Sequence, residues 1–502
     1  MHSEKLGRCL EEAYACYENC NFVKAFVAFQ NIIRKWPRAT PGWMGYGKVA
    51  ALLGRMEVAE NAWRKAREIE PRNHLLMLEI GHEYETFREP EKARTLFREA
   101  VKVAPSAVNP RISLALIEEK EHRFVEARAE VEEILRGAPS DEQARFMSAL
   151  LDHRENQIAR AESLLRDLIV TSPKHEYLRY AVRYELAHIL DKTGRFDEAM
   201  QMLREAKDCV RRLTDIDILN KQYDYNAELV RRAAQQFPKS ILRSWAKTFP
   251  PSRRRPIPKL AFLGGHPRSG TTLIEQILGA HPQIQAIDEP NVMGIAANAS
   301  SAAPSAFSIN ALNIARDRYI QALCQGQEPQ PDGKVLVEKN PTPTAHLPSL
   351  LRVFPELRVI IAIRDPRDVV LSCYFQNLPL NNVNANFLSL ERLAKHYADL
   401  MNVWMAVREW DDFNWIETRY EDIVNNLGVE GPRVTEFLGL KWHETQTRYF
   451  ENSTQKRLYS PTYHEVTQPV YSRSVGRWRH YEKYLAPILT TLKPYCDKFG
   501  YT

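Results

Sequence analysis

This 502-residue chain has no long hydrophobic run. Its purely apolar stretches, such as Val359 to Ile363, stop far short of the ~18 residues that a membrane helix needs. The first residues, Met1-His2-Ser3-Glu4-Lys5, lead into charged helical sequence without the apolar core of a signal peptide. Seven cysteines, odd in number and scattered, do not make a disulfide framework and suit a reducing cytoplasm. Charge of one sign is not in large excess either, because 69 Lys+Arg face 63 Asp+Glu. With 44% hydrophobic and 26% charged residues, wholesale disorder is excluded and real cores are available. The length is that of roughly two to four domains.

The small basic excess is local. Residues 1–213 hold 35 basic and 34 acidic side chains, residues 214–255 hold 9 and 4, and residues 256–502 hold 25 and 25. The middle stretch includes Arg253-Arg254-Arg255 and reads as a solvated basic helical linker. A nucleic-acid binder would spread such charge over the face of a domain, so no nucleic-acid partner is expected.

A strict period is present upstream of that stretch. Pro37, Pro71, Pro105, Pro139 and Pro173 are each 34 residues apart. Ala25, Ala59, Ala93, Ala127 and Ala161 keep the same period, and Phe29, Trp63, Phe97, Val131 and Leu165 follow them by four. The spacing predicts stacked helical hairpins. The small Ala admits a close neighbour, the residue four on shares its face, and the Pro stops the second helix. Trp43, Tyr46, Gly47, Ala50, Gly54, Ala59, Trp63, Ala66 and Pro71 resemble the tetratricopeptide repeat. A sixth copy, offset by four residues, is expected at Leu186, Ala187, Leu190, Gly194, Ala199, Leu203 and Ala206. The array is placed at 1–213, as an all-α solenoid of about six repeats whose groove holds a protein or peptide partner.

After Pro256 the pattern changes. Lys259-Leu-Ala-Phe-Leu-Gly-Gly265 reads as a buried strand, and Leu273 to Leu278 as a helix after His266-Pro-Arg-Ser-Gly-Thr-Thr272. Strand, glycine turn and helix together make an anion site from backbone N–H groups. Ser269, Thr271 and Thr272 add hydroxyl donors there, Arg268 adds charge, and Gly270 allows close approach. Gly265 and Gly270 keep the Walker A frame, but Thr271 stands where its lysine would be, which argues against an ordinary ATPase or kinase. Val335–Val337, Leu357–Ile363 and Trp415–Tyr420 read as strands, and Arg367–Gln376 and Ser389–Trp410 as helices. That is a parallel-sheet α/β domain over 256–502, with sites at the strand C-terminal ends. Arg364 ends the second long strand, and Ser372 lies one or two turns into the next helix, where both could address one phosphate.

Pro267-Arg-Ser-Gly-Thr-Thr272 followed by Arg364-Asp-Pro-Arg-Asp-x-x-x-Ser372 resembles the two nucleotide-binding elements of sulfotransferases that use 3′-phosphoadenosine 5′-phosphosulfate (PAPS). With Ala280 to Pro290, Val337-Glu-Lys-Asn-Pro341, Glu417 to Asp422 and Gln468 to Trp478, the chain resembles the bacterial tetratricopeptide-repeat sulfotransferases, which are similar to protein-tyrosine sulfotransferases. The resemblance implies a 5′-phosphosulfate on Arg268 to Thr272, a 3′-phosphate on Arg364 and Ser372 with Arg477 added, and adenine at Tyr420. It also implies Glu289 as catalytic base, Lys339 beside the leaving phosphosulfate bridge, and Thr462 contributing a hydroxyl there.

The chemistry is consistent with these residue types. Sulfuryl transfer to a hydroxyl needs a base for the acceptor, here Glu289, and positive charge at the leaving phosphate, here Arg268 and Lys339. No carboxylate stands as an obvious Mg²⁺ ligand, so no metal is expected. The implied enzyme is a cytoplasmic, bacterial PAPS-dependent sulfotransferase acting on a tyrosine of a protein or peptide recruited by the repeats. Alternatives are a carbohydrate or small-molecule acceptor, an ATP-dependent phosphotransferase, and an inactive repeat scaffold. Because repeats stack on one another, a chain beginning near Pro256 is expected to keep nucleotide binding.

Overall fold

The computed structural model describes residues 2–19, 21–236, 259–290, 292–300, 309–324, 334–410, 413–453 and 474–502. Contacts divide the chain into two units, Met1–Val182 and Arg183–Thr502.

In the first unit the 34-residue period becomes helical pairs, for example Thr40–Leu52 with Met56–Ile69 and His74–Thr86 with Pro90–Val103. The five periodic alanines are completely buried, and the five residues four places on are at most 1% exposed. Each periodic proline stands two residues beyond a second helix, which ends at Lys35, Ile69, Val103, Gly137 or Thr171. The proline carbonyls are used as well: Trp43 Nε1, Arg111 Nε and Arg179 Nε, each six residues on, donate to the carbonyls of Pro37, Pro105 and Pro173 at 2.9, 3.2 and 3.0 Å.

Ion pairs repeat with the same period. Arg94 pairs with Glu118 at 3.1 Å and also with Glu121, and Arg128 pairs with Asp152 at 2.9 Å and Glu155 at 2.5 Å. Lys120–Glu85 at 3.3 Å is followed by Arg154–Glu119 at 2.9 Å. Side-chain size is matched across repeats too. A Cβ on Gly47 would lie 2.4 Å from Trp63, and one on Gly81 would lie 2.2 Å from Phe97. Ala115, the next in the series, shares a buried cluster with the smaller Val131. The glycines therefore disappear from later copies where the aromatic rings do.

The second unit holds a five-stranded parallel sheet. Its strands are β1 (Leu260–Gly265), β2 (Ile284–Asp288), β3 (Val335–Lys339), β4 (Arg358–Ile363) and β5 (Asn414–Arg419), in the order β2-β3-β1-β4-β5. β1 and β3 are buried throughout and β4 nearly so, as expected where both faces of a parallel sheet are covered. The chain moves from β1 outward to β2, returns to β3, and then crosses to β4. This places the topological switch at the C-terminal end of β1, where α/β sheets bind ligands. β2 was not anticipated as a strand from sequence periodicity. It is a half-buried edge strand of five residues with no alternation to reveal it.

The sixth repeat and the supposed linker group with this sheet. Residues after Val182 belong to the second unit by contact, although the repeat spacing continues to 213. Leu186, Ala187, Leu190, Ala199, Leu203 and Ala206 are fully buried, as the repeat spacing expects. The stretch expected as a basic linker opens with a helix, Ile216–Gln236. That helix lies against Leu390–Val407: Tyr223 Oη donates to Asp399 at 3.3 Å, and Asp224 accepts from Arg392 at 3.0 Å. Among the described residues, no helix is long and apolar enough to cross a membrane.

Candidate active site

The loop after β1 is shaped by close backbone approach. Gly265 has φ 131°, and a Cβ there would meet the Ala362 carbonyl oxygen of β4 at 2.5 Å. Thr344 Oγ1 accepts from Gly265 N at 2.8 Å and donates to Gly265 O at 3.1 Å. Gly270, with φ 92°, is the N-cap of helix Thr271–Gly279 and offers no side-chain cap. A Cβ on it would lie 2.6 Å from the Tyr420 ring. Ser269, Thr271 and Thr272 are buried at this uncapped, N–H-rich helix end, which is suited to an anion.

A buried histidine pair backs the loop. His266 Nδ1 donates to Pro267 O and its Nε2 accepts from His396 Nδ1, both at 2.8 Å. Those roles follow because a carbonyl only accepts. Burial pushes His266 down to about 4 and His396 well below the ordinary range, so both rings are neutral.

The two sequence motifs meet side by side. Arg268, in a left-handed conformation (φ 73°), donates through Nε to Ser372 Oγ at 3.0 Å. Arg364, just beyond β4, donates through Nη1 to Arg268 O at 3.2 Å and through Nη2 to Ser474 O at 2.5 Å. Its guanidinium lies 4.6 Å from the centre of the Tyr420 ring. The Arg364 Nε is buried without a hydrogen-bond partner. Ser372 is buried on helix Pro366–Tyr374, which begins at Asp365, whose side chain accepts from Arg367 N. An orphaned guanidinium donor, a bare helix N-terminus and buried hydroxyls together fit a polyanionic nucleotide.

At the ends of β2 and β3, Lys339 Nζ pairs with Glu289 Oε1 at 2.8 Å and with Asp288. Asp288 and Lys339 are register partners across the two strands, which brings these groups together. Lys339 is completely buried. Burial alone would lower its pKa, but the two carboxylates outweigh it and hold the ammonium above its ordinary value. Glu289 has φ 44°, and its N–H donates to Lys339 O at 2.7 Å. Its side chain remains 42% exposed while Asp288 is at 10%, so Glu289 is the carboxylate open to an incoming molecule.

Arg477 pairs with Asp191 and lies at 4.1 Å over the ring of Phe375, the residue that follows the Ser372 helix. Its segment is tied to the same helix, because Asp368 accepts from Gly476 N and Trp478 N, both at 2.7 Å. Asp368 was not singled out from the sequence, although its place within Arg364-Asp-Pro-Arg-Asp368 marks it. Thr462 lies outside the described residues.

Comparison with known proteins finds both the repeats and the sheet domain. Residues 260–444 match the sulfotransferase family, and residues 78–142 and 180–208 match tetratricopeptide-repeat models. The chain is 25% identical over 340 residues to an uncharacterized protein of Aquifex aeolicus, covering 63% of this chain and 41% of that one. It is 24% identical over 194 residues to protein-tyrosine sulfotransferase A of Caenorhabditis elegans, covering 36% of this chain and 50% of that one. To protein-tyrosine sulfotransferase 2 of Gallus gallus it is 22% identical over 260 residues, covering 48% and 69%. The matches to the first two span about half the length of those relatives.

Proposed function

We propose that this chain, which joins tetratricopeptide repeats to a sulfotransferase-family domain, transfers the sulfuryl group of PAPS to a hydroxyl, the acceptor being a tyrosine of a protein or peptide recruited by the repeats. The observation that carries this reading is the cluster at the C-terminal ends of β1 and β4. There Arg268, Ser372 and Arg364 converge beside an uncapped helix N-terminus, with the partnerless Arg364 Nε among them. PAPS supplies an activated sulfuryl group. In this reading the 5′-phosphosulfate is bound by Arg268, Ser269, Gly270, Thr271 and Thr272. The 3′-phosphate is bound by Arg364, Ser372 and Arg477, and the adenine lies at Tyr420.

Glu289 is the base. It is the more exposed of two carboxylates on Lys339, and so the one that an acceptor hydroxyl can reach. Lys339 and Arg268 supply positive charge where the leaving phosphate develops negative charge. Thr462 is assigned an auxiliary hydroxyl by resemblance alone. The reading includes a cytoplasmic location, supported by the unpaired state of Cys9, Cys16, Cys209, Cys324, Cys373 and Cys496.

The direct test is transfer of labelled sulfate from PAPS to tyrosine peptides, with carbohydrate and small-molecule alcohols in parallel. Labelled peptide is expected. Calorimetry on adenosine 3′,5′-bisphosphate against AMP checks the nucleotide assignment, since losing the 3′-phosphate contacts should cost roughly 1.5–3 kcal/mol per charge-assisted bond. Equal affinity for the two nucleotides would sink it.

A further inference from the structure

The residues that match a repeat at 180–208 carry acidic side chains into the C-terminal segment of the sulfotransferase-family unit. Asp191, at the end of helix Glu176–Lys192, takes Arg477 side-on: Nε reaches Oδ1 at 3.1 Å and Nη2 reaches Oδ2 at 3.0 Å. Asp191 is itself held, because Tyr481 Oη donates to Oδ1 at 2.7 Å. Phe375 closes one face of the guanidinium at 4.1 Å and meets the Tyr481 ring edge-on at 5.7 Å. Phe375 directly follows the helix that carries Ser372. Six residues beyond Asp191, Asp197 accepts from Tyr484 Oη at 2.9 Å and pairs with Lys483, and Phe196 stacks on His480 at 4.3 Å.

This arrangement immobilises a long side chain before any ligand arrives. A free Arg has about 2 kcal/mol of rotamer entropy to lose. Here the carboxylate and the ring have already removed much of it. The side-on pairing occupies the Nε–Nη2 edge, so a phosphate would be met by the Nη1 edge.

We propose that Asp191, contributed by the sixth repeat, is a positioning residue of the nucleotide site that fixes Arg477 for the 3′-phosphate. The proposal rests on the reading of Arg364, Ser372 and Arg477 given above. It makes the sixth repeat part of the catalytic unit rather than the last unit of a separable array.

Charge alone predicts the opposite sign. Removing a carboxylate near a bound polyanion should tighten binding, so a loss on neutralising Asp191 reports lost positioning. The test uses the full chain and calorimetry on two probes, adenosine 3′,5′-bisphosphate and adenosine 5′-phosphosulfate. Asp191→Asn is expected to weaken the bisphosphate about tenfold and leave the phosphosulfate unchanged, with no further loss when combined with Arg477→Ala. Unchanged or tighter bisphosphate binding, an equal loss for both probes, or additive losses in the double variant would each overturn the proposal. If Asp191→Asn does not fold, Arg477→Lys decides. Lysine keeps the charge but not the side-on fork, and is expected to lose as much 3′-phosphate affinity as Arg477→Ala, whereas retention overturns the proposal. A native protein that binds both probes equally would instead refute the site reading itself, and the proposal with it.

Discussion

At the scale of single residues, the two halves of the site should fail differently. Glu289→Gln keeps size and most hydrogen bonding but removes proton acceptance. Turnover is expected to fall about 10²–10⁴-fold, with adenosine 3′,5′-bisphosphate affinity nearly unchanged. Arg364→Ala should show the reverse order in the same calorimetric and kinetic assays, with nucleotide affinity lost first. Near-native turnover in a folded Glu289→Gln variant would move the base to Asp288, the other carboxylate on Lys339. Beside Lys339 on β3, Glu338 points to the opposite face, as alternation along a strand requires. It is completely buried and accepts from Tyr319 Oη at 2.5 Å. Burial pushes its carboxyl up from 4.5 to about 7, with the Tyr319 hydrogen bond opposing. A folded-state pKa raised in this way means that full stability holds below pH 4.5 and is lost as pH rises through about 7. Glu338→Gln should therefore match the native protein near pH 4 and exceed it by on the order of 3 kcal/mol above pH 8 in denaturant titrations. An identical offset at both pH values would show that the residue's ionisation is not involved.

At the scale of elements, the repeats share a backbone feature that the side chains conceal. Gly54, Arg88, His122 and Asn156 stand 34 residues apart at the turn between paired helices, and all have φ between 59° and 74°. Gly194, displaced by the four-residue insertion, has φ 77°. Only the two glycines announce the left-handed turn in the sequence, while Arg88 and His122 adopt it because the surrounding helices impose it. Left-handed geometry costs an L-residue roughly 1–2 kcal/mol, part of which glycine returns as entropy in the unfolded chain. Arg88→Gly is accordingly expected to raise unfolding free energy by up to about 1 kcal/mol. A clear loss in thermal or urea unfolding would mean that the Arg88 side chain contributes more than its backbone strain costs. The same reasoning applies to Glu289 and Arg268, which among the described residues are the non-glycine positions with positive φ outside the repeats. Glu289 directly follows β2 and Arg268 stands three residues beyond β1, at the sheet end where the candidate site lies.

At the scale of the whole molecule, the contacts of 183–236 alter where the chain could be cut. The fully buried Lys207 donates from Nζ to Phe387 O at 2.8 Å and lies 4.1 Å from the Tyr374 ring centre. Burial, with the positive charge of Arg211 adding to it, holds its pKa well below the ordinary value. A chain beginning at Pro256 would lose Lys207, Asp191 and Tyr223 together and expose the surfaces they cover, so the expectation that it keeps nucleotide binding is withdrawn. It should be largely insoluble or lose the bisphosphate, whereas a chain beginning at Glu176 retains these contacts and should bind. Equal nucleotide affinity of the two, measured by calorimetry, would restore the separable domain.

Period, phosphate loop and paired motifs were legible in the sequence because each is a local rule. A 34-residue repeat needs one small and one large residue per hairpin, and an anion loop needs glycine and hydroxyls between strand and helix. Arg268, Ser372 and Arg364 could be named for the same reason, whereas Glu289 and Lys339 came from the family resemblance alone. What only the tertiary structure decided are relations between distant segments. Edge strand β2 is held by its register with β3, Arg268 turns to Ser372 across 104 residues, and Arg477 turns to Asp191 across 286. A repeat's spacing records which hairpin a helix belongs to, but not what its other face packs against. The sixth copy therefore reads as repeat and groups with the sheet, because burial is settled by whichever surface is nearest in space.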